Sequence, residues 1–321
     1  MRAAPLAAGH RPVHPPPPGA RSWDLGLVAE APDGVRLRVA LWRAAGDAAG
    51  QGLAVFAPGR GEYLEKASLP VTALAARGYD VVALDWRGQG LSDRLGARPM
   101  VGHVDDFADF GADLAAVLAL PEVAALGPPV LAAGHSMGGC ILLGAVAAGA
   151  LAPGAMVLSA PMLGLGYRPA VRLALRTMAR VGAAFGLARG WPPVTEPERP
   201  YLFRGFEDNC VTGDRGLYDW QVAALRAAPS LQIGLPSYGW LAAAFRAIDA
   251  VGEVRHLGCP ALLLVGSREG IVSHDAIVAA AARLDQPLAR FDGARHDLFH
   301  EDAATRAAVW ARIDAFLASA G

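Results

Sequence analysis

Cysteine is scarce in this 321-residue chain, with Cys140, Cys210 and Cys259 as the only three. Three thiols cannot build a disulfide framework, and their positions lack the short paired spacings of a metal site. A reduced, cytoplasmic setting and a chemistry without metal are the corresponding expectations. An excess of either charge is missing too: 29 basic residues stand against 30 acidic ones, for a net charge of −1. That balance gives no global attraction for nucleic acid. An apolar leader is not apparent, because His10-Arg-Pro-Val-His-Pro-Pro-Pro-Pro interrupts any hydrophobic run near the N-terminus. Residues 1–22 are therefore expected to form a disordered, Pro-rich lead. Val130–Leu151 contains no Asp, Glu, Lys or Arg and is long enough to suggest a membrane span. Its glycine-rich centre instead predicts a buried strand followed by a buried helix.

What is present is an alternation of strand-like and helix-like segments. Leu25–Glu30 and Val35–Arg43 flank Ala-Pro-Asp-Gly as an opening hairpin. Leu53–Ala57, Asp80–Leu84, Val130–Ala133, Met156–Ser159, Ala261–Val265 and Leu288–Phe291 read as further strands, with helical segments between them. Eight strands so connected predict a mostly parallel sheet covered by helices on both faces. From Pro161 to Gly258 no strand is convincing, which predicts a mostly helical insertion over the carboxyl ends of the strands, the usual ligand position in such sheets. The expected organisation is a core over residues 23–160 and 259–321 with a helical lid over 161–258.

The chemistry centres on Gly134-His-Ser-Met-Gly138, set between an apolar strand and an apolar helix. A serine hydroxyl becomes a useful nucleophile when a sharp strand-to-helix turn holds it beside a base. Glycines two residues to either side relieve the crowding of that turn. In this arrangement the acid and then the histidine follow the serine along the chain. His296 lies just after the last strand and is the expected base, with His300 one helical turn further on. Glu269 is the one carboxylate in Gly266-Ser-Arg-Glu-Gly-Ile-Val-Ser, the exit from Ala261–Val265, and is the expected orienting acid; Asp275 is its competitor. The oxyanion should be met by the backbone N–H of Met137 and that of Arg60, in the Pro58-Gly-Arg-Gly61 loop after Leu53–Ala57.

With these residues in hand, the chain resembles the α/β-hydrolase superfamily, and within it the lysophospholipase and monoacylglycerol lipase branch. Gly59-Arg-Gly-Glu-Tyr-Leu-Glu-Lys66, Asp85-Trp-Arg-Gly-Gln-Gly-Leu-Ser92, Gly102-His-Val-Asp-Asp-Phe107, Gly134-His-Ser-Met-Gly-Gly139 and Gly293-Ala-Arg-His296 carry the resemblance. It covers Leu25 to Leu317 and implies the α/β-hydrolase fold, no cofactor, and hydrolysis of a single-chain acyl lipid through an acyl-enzyme. It implies the triad Ser136, Glu269 and His296, with Arg60 and Met137 as oxyanion donors. Pro58 departs from the usual histidine before the oxyanion glycine, and Glu269 from the usual aspartate. A lid segment with Asn209, Thr212 and Asp214 is similar to bacterial lysophospholipases and implies substrate contacts there.

Two rivals remain: another activity on the same fold, such as a prolyl aminopeptidase or short-chain esterase, and a non-catalytic binding module. An acidic lid pocket for a substrate amine would favour the aminopeptidase, and the lid shows no acidic excess. A complete nucleophile–base pair disfavours the binding module. Arg168, Arg172, Arg176 and Arg180 recur every four residues, which keeps them within an arc of roughly 120° on one helix. That face reads either as a solvated surface or as a peripheral contact with an anionic membrane, at its inner surface. Head group, acyl length and oligomeric state stay open.

Overall fold

A computed structural model describes residues 6–45, 50–192 and 201–320. Eight strands form one sheet: β1 (Leu25–Glu30), β2 (Arg36–Trp42), β3 (Gly52–Ala57), β4 (Tyr79–Leu84), β5 (Pro129–His135), β6 (Ala155–Ser159), β7 (Ala261–Gly266) and β8 (Leu288–Phe291). Their order is β1-β2-β4-β3-β5-β6-β7-β8. The pairs β1/β2 and β2/β4 are antiparallel, and the rest of the sheet is parallel. Strand alternation divides the core between two faces. Leu53, Val55 and Ala57 pack on one side, whereas Ala54 and Phe56 pack on the other.

The helices supply each face with apolar cover. On one side lie α2 (Ala108–Leu118), α4 (Met137–Ala147) and α8 (His274–Leu284), through Phe110, Leu114, Cys140, Leu143 and Ile277. The other receives α1 (Leu64–Ala75) and α9 (Ala303–Ala320), through Leu64, Val71, Val309 and Ile313. A short α3 (Pro121–Ala124) leads into β5. The uncharged stretch from Val130 becomes β5 and α4, and among the described residues no helix is long and apolar enough to cross a membrane.

The chain leaves β3 toward β4 on one side of the sheet and later returns to β5 on the other side of β3. The carboxyl ends of β3 and β5 therefore flank a reversal of strand order, where loops diverge and leave a crevice. Pro58–Gly61 follows β3 and Ser136 follows β5, so the topology brings these two loops together.

Between β6 and β7 the described residues are helical or irregular: α5 (Pro169–Gly182), α6 (Arg215–Ala227) and α7 (Tyr238–Glu253), with single helical turns between them. Helix α7 packs on both α4 and α5. Ser237 caps α7 by accepting from Trp240 N–H, and Asp214 caps α6 by accepting from Leu217 N–H.

The N-terminal lead differs from the disorder expected of residues 1–22; its first five residues lie outside the described ones. From Leu6 onward it is laid against the core. His10 Nε2 donates to the carbonyls of Leu27 (3.1 Å) and Val39 (2.9 Å), and Trp23 Nε1 donates to the His10 carbonyl (3.0 Å). Val13 N–H reaches Glu65 Oε1, and Trp220 Nε1 reaches the Pro15 carbonyl. Prolines prevent a helix or ladder here, but extended chain needs neither when isolated anchors satisfy its few donors.

Candidate active site

Ser136 sits at φ 52°, ψ −116°, between the end of β5 and the start of α4. That backbone is sparsely populated for an L-residue and persists only where its surroundings over-determine it. They do so here. Ser136 N–H donates to the Ser159 carbonyl (2.9 Å), and its own carbonyl accepts from Met162 (2.9 Å) and Cys140 (3.3 Å). A Cβ on Gly138 would fall 2.0 Å from the Ala57 carbonyl oxygen, and one on Gly134 would fall 2.9 Å from Gly139 N. The two glycines are thus required by close approach on both sides of the serine.

His296 lies in the loop after β8, with its N–H donated to the Cys210 carbonyl at 3.2 Å. Its ring centroid is 4.7 Å from that of His135, the residue preceding Ser136. Its Nδ1 meets Glu269 Oε2 at 2.7 Å. The other oxygen, Oε1, accepts from Ile271 N–H (2.7 Å) and Val272 N–H (3.1 Å). The glutamate side chain is fully buried. Burial raises its pKa, but the His296 ring and the two backbone donors outweigh that and hold it below its ordinary value. The structure thus brings Ser136, His296 and Glu269 to the ends of β5, β8 and β7. Asp275 is solvent-exposed in the first turn of α8, beside His274. His300 is buried elsewhere, with Nδ1 on Asp297 (3.1 Å) and Nε2 on the Lys66 carbonyl (3.0 Å).

Met137 is the first helical residue of α4, so its N–H has no acceptor within the helix. Around Arg60 the flanking donors are taken: Gly59 N–H by Glu62 and Gly61 N–H by Gln89. Trp86 Nε1 holds the Pro58 carbonyl at 2.9 Å, which fixes the loop from the other side. A Cβ on Gly59 would stand 3.0 Å from His135 Nδ1, so the loop and the serine turn are in direct contact.

Beneath them lies a buried charge network that sequence reasoning did not find. Glu62 bridges Gly59 N–H, His135 Nδ1 (2.9 Å) and the Lys66 ammonium. Lys66 also contacts Asp297 Oδ2 at 2.6 Å, next in the chain to His296. His135 Nε2 faces the His296 carbonyl at 3.4 Å. One carboxylate and one ammonium therefore tie together the loop after β3, the serine turn and the histidine loop. Burial opposes ionisation of Glu62, yet Lys66 and His135 push its pKa well below the usual carboxylate range. Burial likewise opposes a charged His135, but the Glu62 and Asp297 carboxylates raise its pKa. Glu62, His135 and Asp297 could offer ligand atoms within 4.8 Å of one another. The Lys66 ammonium already contacts both carboxylates and supplies the positive charge there.

Asn209, Thr212 and Asp214, for which the resemblance implies substrate contacts, have polar groups engaged within the protein. Asn209 Oδ1 accepts from Val211 and Thr212 N–H, and its Nδ2 donates to Phe206. Thr212 Oγ1 donates to the His300 carbonyl at 2.5 Å, and Asp214 caps α6. Arg295 Nη1 donates to the carbonyls of Asn209 and Thr212. These side chains fasten residues 209–214 to the histidine loop, and the short loop's need for internal donors and acceptors accounts for their polarity.

A doubly covered, mostly parallel sheet with a strained serine turn, a carboxylate-bound histidine and N–H groups at a strand-order reversal defines an α/β-hydrolase. A family model described as serine aminopeptidase, S33 matches residues 48–303, and the chain belongs to that family of serine hydrolases. Lysophospholipase L2 of Escherichia coli (strain K12) is 30% identical over 284 residues, spanning 82% of this chain and 79% of that protein. A probable lysophospholipase L2 of Haemophilus influenzae is 26% identical over 277 residues, spanning 83% of each chain. Among solved structures, a soluble variant of monoglyceride lipase from Saccharomyces cerevisiae shares the fold with a TM-score of 0.70 at 20% identity, covering 92% of this chain and 96% of that one. Monoacylglycerol lipase of Paleococcus ferrophilus does so with a TM-score of 0.66 at 19% identity, covering 89% and 99%.

Proposed function

We propose that this chain hydrolyses the carboxylic ester of single-chain acyl lipids, lysophospholipids in particular, through an acyl-enzyme on Ser136. The observation that carries this reading is the 2.7 Å contact of His296 Nδ1 with the buried Glu269 carboxylate, on a ring adjoining the residue before Ser136. Ser136 Oγ attacks the ester carbonyl while His296 Nε2 takes its proton. The tetrahedral oxyanion accepts from the N–H groups of Arg60 and Met137, donors that typically contribute about 10²–10³ in rate each. His296 then protonates the departing glycerol oxygen, leaving the acyl group on Ser136. Water enters, gives a proton to His296 and attacks the acyl carbon; collapse releases the fatty acid and returns the proton to Ser136. Similarity to the lysophospholipases L2 supports the choice of lipid. Steady-state turnover of matched lysophospholipids, monoacylglycerols, short esters and N-terminal prolyl peptides tests it. Lysophospholipids should be turned over fastest, and exclusive cleavage of the prolyl peptides would overturn it.

Residues 161–258 form the lid in this reading, and α5 is its membrane-facing element. Arg168 and Arg180 are exposed, whereas Arg172 and Arg176 are half-buried. Arg176 pairs with Asp249 at 2.7 Å and lies over the Phe245 ring. On the outer side Leu173 is 66% exposed and Phe185 80%, with Val171, Val181 and Leu187 also exposed. Each large apolar side chain left in water forgoes about 1.5–3 kcal/mol of burial, so five together favour an apolar phase. The exposed arginines beside them suit anionic lipid. In liposome sedimentation, binding should rise with anionic lipid and fall with salt. Arg168→Gln with Arg180→Gln should weaken it, and sedimentation unchanged by salt or by the substitutions would overturn the membrane contact.

A further inference from the structure

The side chain of Arg60 poses a separate question from its backbone N–H. A guanidinium has five N–H donors, and only one finds an acceptor among the described residues, from Nη2 to the Gly234 carbonyl at 2.8 Å. Its Nε is buried without a partner. The cation lies over the Trp240 ring with Cζ 5.2 Å from the centroid, and no carboxylate among the described residues forms an ion pair with it. Other interior arginines are different: Arg38 holds Glu65 and Asp85, and Arg87 holds Asp113 and Asp33. Burial without a counter-charge lowers the Arg60 pKa to about 10. Arg60 as a whole is half-buried, so part of the cation still meets water, and an anion on its unused donors would relieve the cost of the buried part.

The backbone that carries this guanidinium lies beside the proposed chemistry. Arg60 follows Gly59, which abuts His135, and a Cβ on Gly102 would fall 2.5 Å from its Nη2. It therefore occupies the seam between the loop after β3, the 100–103 loop and the start of α7. Arg94, in the loop after β4, instead spends its donors on the carbonyls of Gly88, Gly90 and Ser230, and burial lowers its pKa to about 10 as well.

We propose that the Arg60 guanidinium is the subsite for the substrate's phosphate, the glycerophosphodiester of a lysophospholipid head group. This rests on the ester-hydrolase reading and sharpens it. A planar fork with unused parallel donors matches two phosphate oxygens. A monoacylglycerol offers only neutral hydroxyls there and leaves the cation unpaired, so the subsite selects the phosphorylated lipid.

The test compares kcat/KM for lysophosphatidylglycerol and for a monoacylglycerol of the same acyl chain in the wild type, Arg60→Gln and Arg60→Lys. In Arg60→Gln the preference for the phospholipid should fall about tenfold or more, the usual weight of a hydrogen bond to a charged group. Arg60→Lys should restore part of it. An unchanged ratio, or equal loss on both lipids as from a disturbed oxyanion loop, overturns the subsite. A second measurement needs no turnover: glycerol 3-phosphate should slow fluorophosphonate labelling of the wild type and not of Arg60→Gln. Equal protection by inorganic phosphate, with no change in the lipid ratio, would mark a free-phosphate site and overturn the head-group assignment. Failure of the ester reading would show differently, as no turnover of either lipid with the protection intact.

Discussion

Ser136→Ala is expected to lower kcat for ester hydrolysis by about 10⁴-fold or more, the scale seen when a triad nucleophile is removed. The fold should survive, because the backbone strain at φ 52° is held by neighbouring carbonyls and glycines and not by the hydroxyl. His296→Ala should lose activity on a similar scale. His300→Ala should retain most of it, since that imidazole serves Asp297 and the Lys66 carbonyl. Steady-state kinetics alongside thermal unfolding separates the cases. Wild-type-like turnover by Ser136→Ala, or a larger loss of turnover in His300→Ala than in His296→Ala, would refute the assignment.

Glu269→Gln should lower kcat by about 10⁴-fold, the cost of losing an orienting carboxylate in a comparable triad. The amide removes the negative charge that stabilises the imidazolium and offers N–H groups that favour the wrong tautomer. Asp275→Asn should change little, because Asp275 lies in solvent at the start of α8. The pH dependence has a definite sign. Glu269 has a lowered pKa in the folded protein, so its contribution is fully present above the ordinary carboxylate value and is lost as pH falls through the folded one. Activity and this part of the stability should decline together on the acid side. If Asp275→Asn were the more damaging variant, the acid would be misassigned.

The parts of this molecule that were legible in the sequence are those fixed by local pattern and chain order. All eight strands fell where alternating or continuous apolar runs stood, within about two residues of their observed ends, and β5 and α4 were already separable at the glycines around Ser136. Glu269 and His296 were found because a parallel sheet delivers loop residues from the ends of β7 and β8 to the serine turn on β5. The charge network was hidden for a different reason. Glu62, Glu65 and Lys66 have the spacing of a solvated helix start, yet Lys66 and Glu65 are buried. The partners of Glu65 and Lys66, Arg38 and Asp297, are far away in sequence, and Arg38 in turn holds Asp85. The same holds for Asn209 and Thr212, whose polarity serves the loop that carries them. In the lead, the prolines concealed the anchoring role of His10, which holds β1 and β2 and is itself held by Trp23. Arg60 was legible as a backbone donor but not as a cation without a carboxylate, because burial and pairing are properties of the packed molecule.

Covalent labelling with a fluorophosphonate followed by peptide mass mapping asks whether Ser136 is the group acylated during turnover. A single adduct is expected on the peptide carrying Ser136, formed in step with the loss of ester hydrolysis. An adduct on another residue, or full inactivation with Ser136 unmodified, would contradict that assignment.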